Sequence, residues 1–228
     1  RLPLTFVLSL ATLLLTWLIA FPIGVYSAVK QYSVGDYIAT FLGFLGLATP
    51  DFLLALVLMW VFFAFFNQSV GGLFSPEFAN APWSLAKVWD LAKHLAIPMI
   101  VLGASGTASL IRIMRAYLLD ELHKPYVVTA RSKGLSETRL LLKYPVRAAL
   151  NPFISTAGWY LPSLVSGSTI VAVVLSLPIT GPLLLRALLS QAMYLAGSFI
   201  FMLSALTIFG TLLSDILLAW LDPRIRLG

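Results

Sequence analysis

LTFVLSLATLLLTWLIAFPIGVYSA, Leu4 to Ala28, runs for 25 residues without a charged side chain. An α-helix needs about 20 residues to cross a hydrocarbon core of about 30 Å. In lipid no water is present to satisfy backbone N–H and C=O groups, so such a run is expected to be a helix, which satisfies them internally. Four further apolar runs lie at Ile38 to Phe66, His94 to Ile111, Pro152 to Val174 and Ala196 to Leu221. The alternating ten-residue strands of a membrane barrel are absent from the pattern. The expected fold is therefore all-α: a polytopic transmembrane helical bundle with five spans, forming a single transmembrane domain over residues 1–228.

Composition agrees with this reading. Apolar residues make up 60% of the 228 and charged residues 11%, against roughly 45–50% and about 25% in soluble domains. The chain has no cysteine, which excludes disulfides, thiolate metal sites and cysteine nucleophiles. The second run is awkward. Counted from Asp36 to Phe66 it would make a helix of about 46 Å at 1.5 Å per residue, with Thr49-Pro50 in its middle. A kink or a cytoplasmic overhang is expected there.

Orientation follows from the cations. The connection from Arg112 to Arg147 holds eight of the fifteen: Arg112, Arg115, Lys124, Arg131, Lys133, Arg139, Lys143 and Arg147. By the positive-inside rule that side is cytoplasmic. With alternating spans, Lys30, Arg224 and Arg226 join it, leaving Arg1, Lys87, Lys93 and Arg186 outside. The C-terminus is then cytoplasmic, and the loop Asn67 to Lys93 and the LSLPITGP connection at Leu175 to Pro182 face outward. Five spans put Arg1 outside, and residue 1 is not Met, so at least one further span is expected before it.

Within the basic connection, YVVTARSKGLSETRLLLKYPVRAALNP at Tyr126 to Pro152 carries more than topology requires. Pro125 suits the first turn of a helix, Tyr126 to Lys133 continues it, and Gly134 falls where a left-handed residue would end it. Ser136 can cap a second helix with Glu137 in its first turn. The apolar Leu135, Leu140 and Leu141 give the two helices something to share. The expectation is a helix, turn, helix knuckle in the cytoplasm, where a plain topology loop would need only charges.

TARSKGLSE followed by RAALNP resembles the EAA loop of ABC-importer permeases, in the form found in the dipeptide, oligopeptide and nickel branch. LLAWLDPRIR at Leu217 to Arg226 is similar to that branch's C-terminal signature. The EAA positions read Val128-Thr129-Ala130, without a Glu, and Tyr144-Pro145-Val146-Arg147 stands where other branches carry I-x-L-P. The resemblance covers the whole chain. It implies a type I ABC-importer-like fold whose first span and an external segment precede residue 1, and a coupling loop at about 112–150. It further implies that Ala130, Arg131, Lys133, Gly134, Leu135 and Ser136 sit in a groove of a cytoplasmic ATPase. Arg131 and Lys133 would make charge-assisted contacts there, and Gly134 would let the helices fold back. The implied partners are a second permease subunit, two ATPase subunits and an external solute-binding protein, in a bacterial or archaeal inner membrane. The chain lacks G-x-x-x-x-G-K-[ST], so nucleotide chemistry is expected in a partner. No cofactor, metal or nucleic acid is expected.

Two acids lie inside the runs, where charge is costly and counts as a functional hypothesis. Asp51 either braces the helix start after Pro50 or lines the solute pathway. Asp215 is expected in a structural ion pair with a loop arginine. His94 and His123 have no ligand-spaced companions, and the adjacent Asp120-Glu121 splay too far to share a proton. GASGTASL at Gly103 to Leu110 reads as a close-packing helix face. A secondary transporter or channel is the alternative function; it would call for paired broken helices, internal repeats or rings of intramembrane charge, and the halves show no repeat. An intramembrane enzyme would need a dyad or metal cluster. Substrate falls among peptides, nickel and oligosaccharides, with peptides leading.

Overall fold

The computed structural model describes residues 2–66 and 71–221, and among them the chain forms ten helices and no strand. They are α1 Leu2–Val29, α2 Val34–Ala48, α3 Asp51–Phe66, α4 Leu85–Leu122, α5 Pro125–Ser132, α6 Glu137–Lys143, α7 Pro145–Ser155, α8 Ala157–Val174, α9 Thr180–Leu189 and α10 Met193–Leu221. The five expected spans correspond to α1, α2 with α3, α4, α8 and α10. By length and composition α1, α4 and α10 can each cross a membrane, and α2 with α3 qualifies as a pair. Phe65, Phe201 and Trp220 stand 73%, 77% and 81% exposed. That exposure is a liability in water and ordinary in hydrocarbon.

Three of the expected boundaries move. The second run is two helices meeting at 104°, far sharper than a kinked span. Pro50 has no N–H to extend α2, and its carbonyl instead accepts the first bonds of α3, from Leu53 at 2.9 Å and Leu54 at 3.1 Å. The third span is the middle of a 38-residue helix, about 57 Å long at 1.5 Å per residue. Charged residues ended the apolar run without ending the helix, because Lys, Arg, Glu and Leu are all good helix formers. The fourth starts later than expected: Pro152 belongs to α7, and the chain breaks at Thr156, whose hydroxyl donates to the Phe153 carbonyl at 2.7 Å.

Two compact units organise these helices, and α1, α4, α8 and α10 contribute residues to both. One comprises Arg1–Leu15, Thr49–Ala104 and Leu161–Leu206. Here Thr5 of α1 ties down the start of α9: its hydroxyl accepts the Thr180 N–H at 3.0 Å and donates to the Thr180 hydroxyl at 3.1 Å. An added Cβ at Gly181 would lie 2.7 Å from the Thr169 hydroxyl, so α9 and α8 approach closely there. The segment before α4 is pinned by Asp90, whose carboxylate accepts the Ser75 N–H at 2.8 Å and hydroxyl at 2.6 Å. Lys87 lies buried, donating to the Ala81 carbonyl at 2.5 Å with its ammonium 4.9 Å from the Phe74 ring. The outward loop of the sequence reading is thus largely helix and packed turn, with 67–70 outside the described residues.

The other unit comprises Thr16–Ala48, Ser105–Tyr160 and Thr207–Gly228. Its core joins α1, α4 and α7 through Ala20, Leu110, Met114, Leu118, Val146, Ala149 and Phe153. Val146, Ala149 and Phe153 fall at i, i+3 and i+7, so one face of α7 is apolar and buried. Trp17 and Phe21 lay their rings against Phe153, at 5.3 Å and 6.4 Å. Small residues set the spacing. A Cβ on Gly24 would come within 2.7 Å of Met114, and one on Gly106 within 1.7 Å of the Tyr160 hydroxyl. In GASGTASL the close approach at Gly106 is therefore filled by an aromatic ring from α8.

Candidate functional site

The knuckle is α5, a four-residue turn and α6. Pro125 occupies the first turn of α5, where its missing N–H is no loss and its fixed φ suits the helix. α5 ends at Ser132, with Lys133 as C-cap donating its N–H to the Thr129 carbonyl at 3.1 Å. Gly134 follows at φ +77°, with nothing within 4 Å of where a Cβ would stand. The left-handed turn is thus held by backbone conformation, with no packing around it. Ser136 occupies the N-cap position of α6, but its side chain makes no capping bond.

Arg131 reaches across the turn to Glu137, Nε to Oε1 at 2.6 Å and Nη2 to Oε2 at 3.1 Å. This is a two-point, planar pairing between the last turn of α5 and the first turn of α6. The hydrogen bond from Arg131 holds the Glu137 carboxyl below its usual range. Beneath the pair, Val127, Ala130 and Leu140 are buried, with Leu135 and Tyr144 packed against them. At the base, Glu121 at the end of α4 takes both the Lys124 ammonium and the Tyr126 hydroxyl. Among the described residues Lys133 and Arg139 are exposed cations with no ion pair. Of the six sequence-expected contact residues, Lys133, Gly134 and Ser136 are exposed, Leu135 is half-buried, Ala130 is buried in the knuckle's own core, and Arg131 is exposed but paired.

The acids are placed as follows. Asp51 is half-buried at the first position of α3, the end at which the helix dipole favours a carboxylate. Asp215 is exposed on α10 and has no ion pair with a described residue; Asp222, Arg224 and Arg226 lie outside the described residues. The buried charge pair that the sequence reading missed is Asp36 with Arg115. Arg115 donates Nε and Nη2 to the two Asp36 oxygens, both at 2.9 Å, while Ser27 Oγ and the Tyr32 N–H at 2.9 Å donate to the same carboxylate. The cation count puts Arg115 in the basic connection, whereas it lies within α4. Its true place inside α4 could have been found from the helix period that continues past Ile111, and Asp36 from being the lone acid at the head of an apolar run.

A family model described as the binding-protein-dependent transport system inner membrane component matches residues 20–227. The chain belongs to this permease family. Among its relatives, the oligopeptide transport system permease protein AppB of Bacillus subtilis is 35% identical over 227 residues, covering 99% of this chain and 70% of AppB. A putative peptide permease protein of Brucella ovis is 31% identical, covering 97% of this chain and 68% of that one. The oligopeptide permease protein OppB of Mycobacterium tuberculosis is 31% identical over 90% of this chain and 65% of its own length. An inward-facing form of the methionine ABC transporter MetNI superposes with a TM-score of 0.70 at 14% identity, covering 96% of this permease and 93% of that chain. At that identity the likeness speaks for the fold alone. The permease is thus a multi-pass membrane transport component, and its exposed basic knuckle is the most distinctive feature outside the spans.

Proposed function

We propose that this permease forms part of the solute pathway of a peptide importer and that the α5–α6 knuckle couples it to a partner ATPase. The observation that carries the reading is a basic, exposed pair of short helices, braced on the end of α4 and folded about a left-handed glycine. A free loop would transmit no displacement, whereas a braced one moves α4 when it is pulled. Closure of two ATPase subunits around ATP would draw paired knuckles together and switch the spans between outward and inward access. Hydrolysis belongs to those subunits, a second permease completes the pathway, and an external binding protein delivers the peptide. The basic connection and the C-terminus face the cytoplasm. Peptide is the proposed substrate class because the AppB and Brucella relatives carry that description.

The test is to purify the tagged permease from its own membrane, identify what co-purifies, and measure uptake of labelled tri- to pentapeptides into vesicles. An associated ATPase and peptide uptake that stops without ATP are expected. A permease that transports with no ATPase attached would overturn the reading in favour of a secondary transporter.

A further inference from the structure

We infer that Arg131 and Glu137 act as a staple that fixes the angle between the two knuckle helices, so that Arg131 is a positioning residue and not a contact to the ATPase. The inference rests on the coupling reading above. Four observations carry it. The pairing is two-point, so it constrains orientation as well as distance. Its partners stand at facing helix ends: the guanidinium lies in the last turn of α5 and the carboxylate in the first turn of α6, each at the end whose dipole favours it. The turn between them is a glycine with open space around it, so no side chain wedges the hinge. Underneath, the shared core is small: Val127, Ala130 and Leu140 are buried, with Leu135 and Tyr144 packed against them. A core of that size holds the helices together without specifying their crossing.

Docking sharpens the point. A groove that closes over the knuckle must strip water from whatever charge it covers. A lone guanidinium would then need a carboxylate from the partner, whereas a pair already satisfied within the loop enters as a nearly neutral, shaped surface. Lys133, Arg139 and Lys143, exposed and outside the pair, are the knuckle cations left among the described residues to meet an acidic partner surface.

The experiment compares complexes of the permease with its ATPase and binding protein carrying Arg131→Gln, Glu137→Gln, or the exchanged pair Arg131→Glu with Glu137→Arg, with Gly134→Val alongside. A staple predicts that the two neutral variants lower solute-stimulated ATP hydrolysis by similar factors, about 3- to 10-fold. The exchanged pair should recover to within about 3-fold of wild type, short of full recovery because its charges meet the helix dipoles with the wrong sign. Glu137→Gln at the wild-type rate beside an impaired Arg131→Gln would make Arg131 a direct contact and overturn the inference, as would an exchanged pair no better than Arg131→Gln. Failure of the coupling reading looks different: Gly134→Val and every other variant would then hydrolyse and transport like wild type.

Discussion

Removing Arg115 should be the most damaging polar substitution in the permease. Asp36 keeps only 3% of its side chain exposed, against 27% for Arg115. In Arg115→Gln the carboxylate loses both 2.9 Å bonds and stays buried with the Ser27 hydroxyl and the Tyr32 amide. Breaking a buried pair in this way costs about 3–5 kcal/mol. Asp36→Asn leaves the guanidinium unpaired instead, but that group can turn toward water, so about 1–3 kcal/mol is expected. The carboxylate also holds Tyr32, whose φ of +62° is strained for a bulky residue, so either change loosens the α1–α2 turn as well. The double variant should be milder than the two single costs added, with a coupling of about 1–3 kcal/mol. Unfolding of purified protein by SDS titration in mixed micelles reads these differences. Equal costs for the two single variants, or costs that simply add, would refute the reasoning that burial asymmetry governs the pair.

At Gly134, φ +77° strains any L side chain; Asn should be tolerated best, Ala next, and Val should cost about 1–2 kcal/mol in the turn, read as loss of ATPase retention with membrane insertion intact. Gly106→Ala should destabilise by about 1–3 kcal/mol through overpacking, since its Cβ would meet the Tyr160 ring, and shortening Tyr160 in the same chain should recover part of that in the SDS assay. In this cysteine-free protein, Ser136→Cys should resist a membrane-impermeant thiol reagent in whole cells while exposed Ala79→Cys reacts; labelling of both, or the reverse, refutes the orientation. Because the Glu137 carboxyl is held below its unfolded value, the staple is fully present at neutral pH and lost only as pH falls through the lowered folded value. Spin labels at Val128→Cys and Leu142→Cys should therefore keep one distance from pH 6 to 8 and broaden in acid, and Glu137→Gln should be broad throughout.

Sequence alone determined the membrane class, the approximate spans and the knuckle, because each is local. Twenty-five uncharged residues at Leu4 to Ala28 have one workable structure in lipid, and a proline, a glycine and a serine at Pro125, Gly134 and Ser136 mark helix ends by their own backbone preferences. Pro50 marked the break, but the 104° angle between α2 and α3 depends on what each helix packs against. The length of α4 was hidden because an apolar run measures solubility in lipid, while helix continuation is set by propensity and packing, which let its charged turns stay helical. The same distinction governed the charges. Counting cations gave an expected orientation, but which of them face a partner depends on which acids lie within reach. Tertiary structure brought Arg115 to Asp36 across 79 residues of chain, and the turn at Gly134 brought Arg131 to Glu137. Charge is written residue by residue, but the pairing of charges, which decides whether a cation locks the fold or meets a partner, depends on distances that only the folded chain fixes.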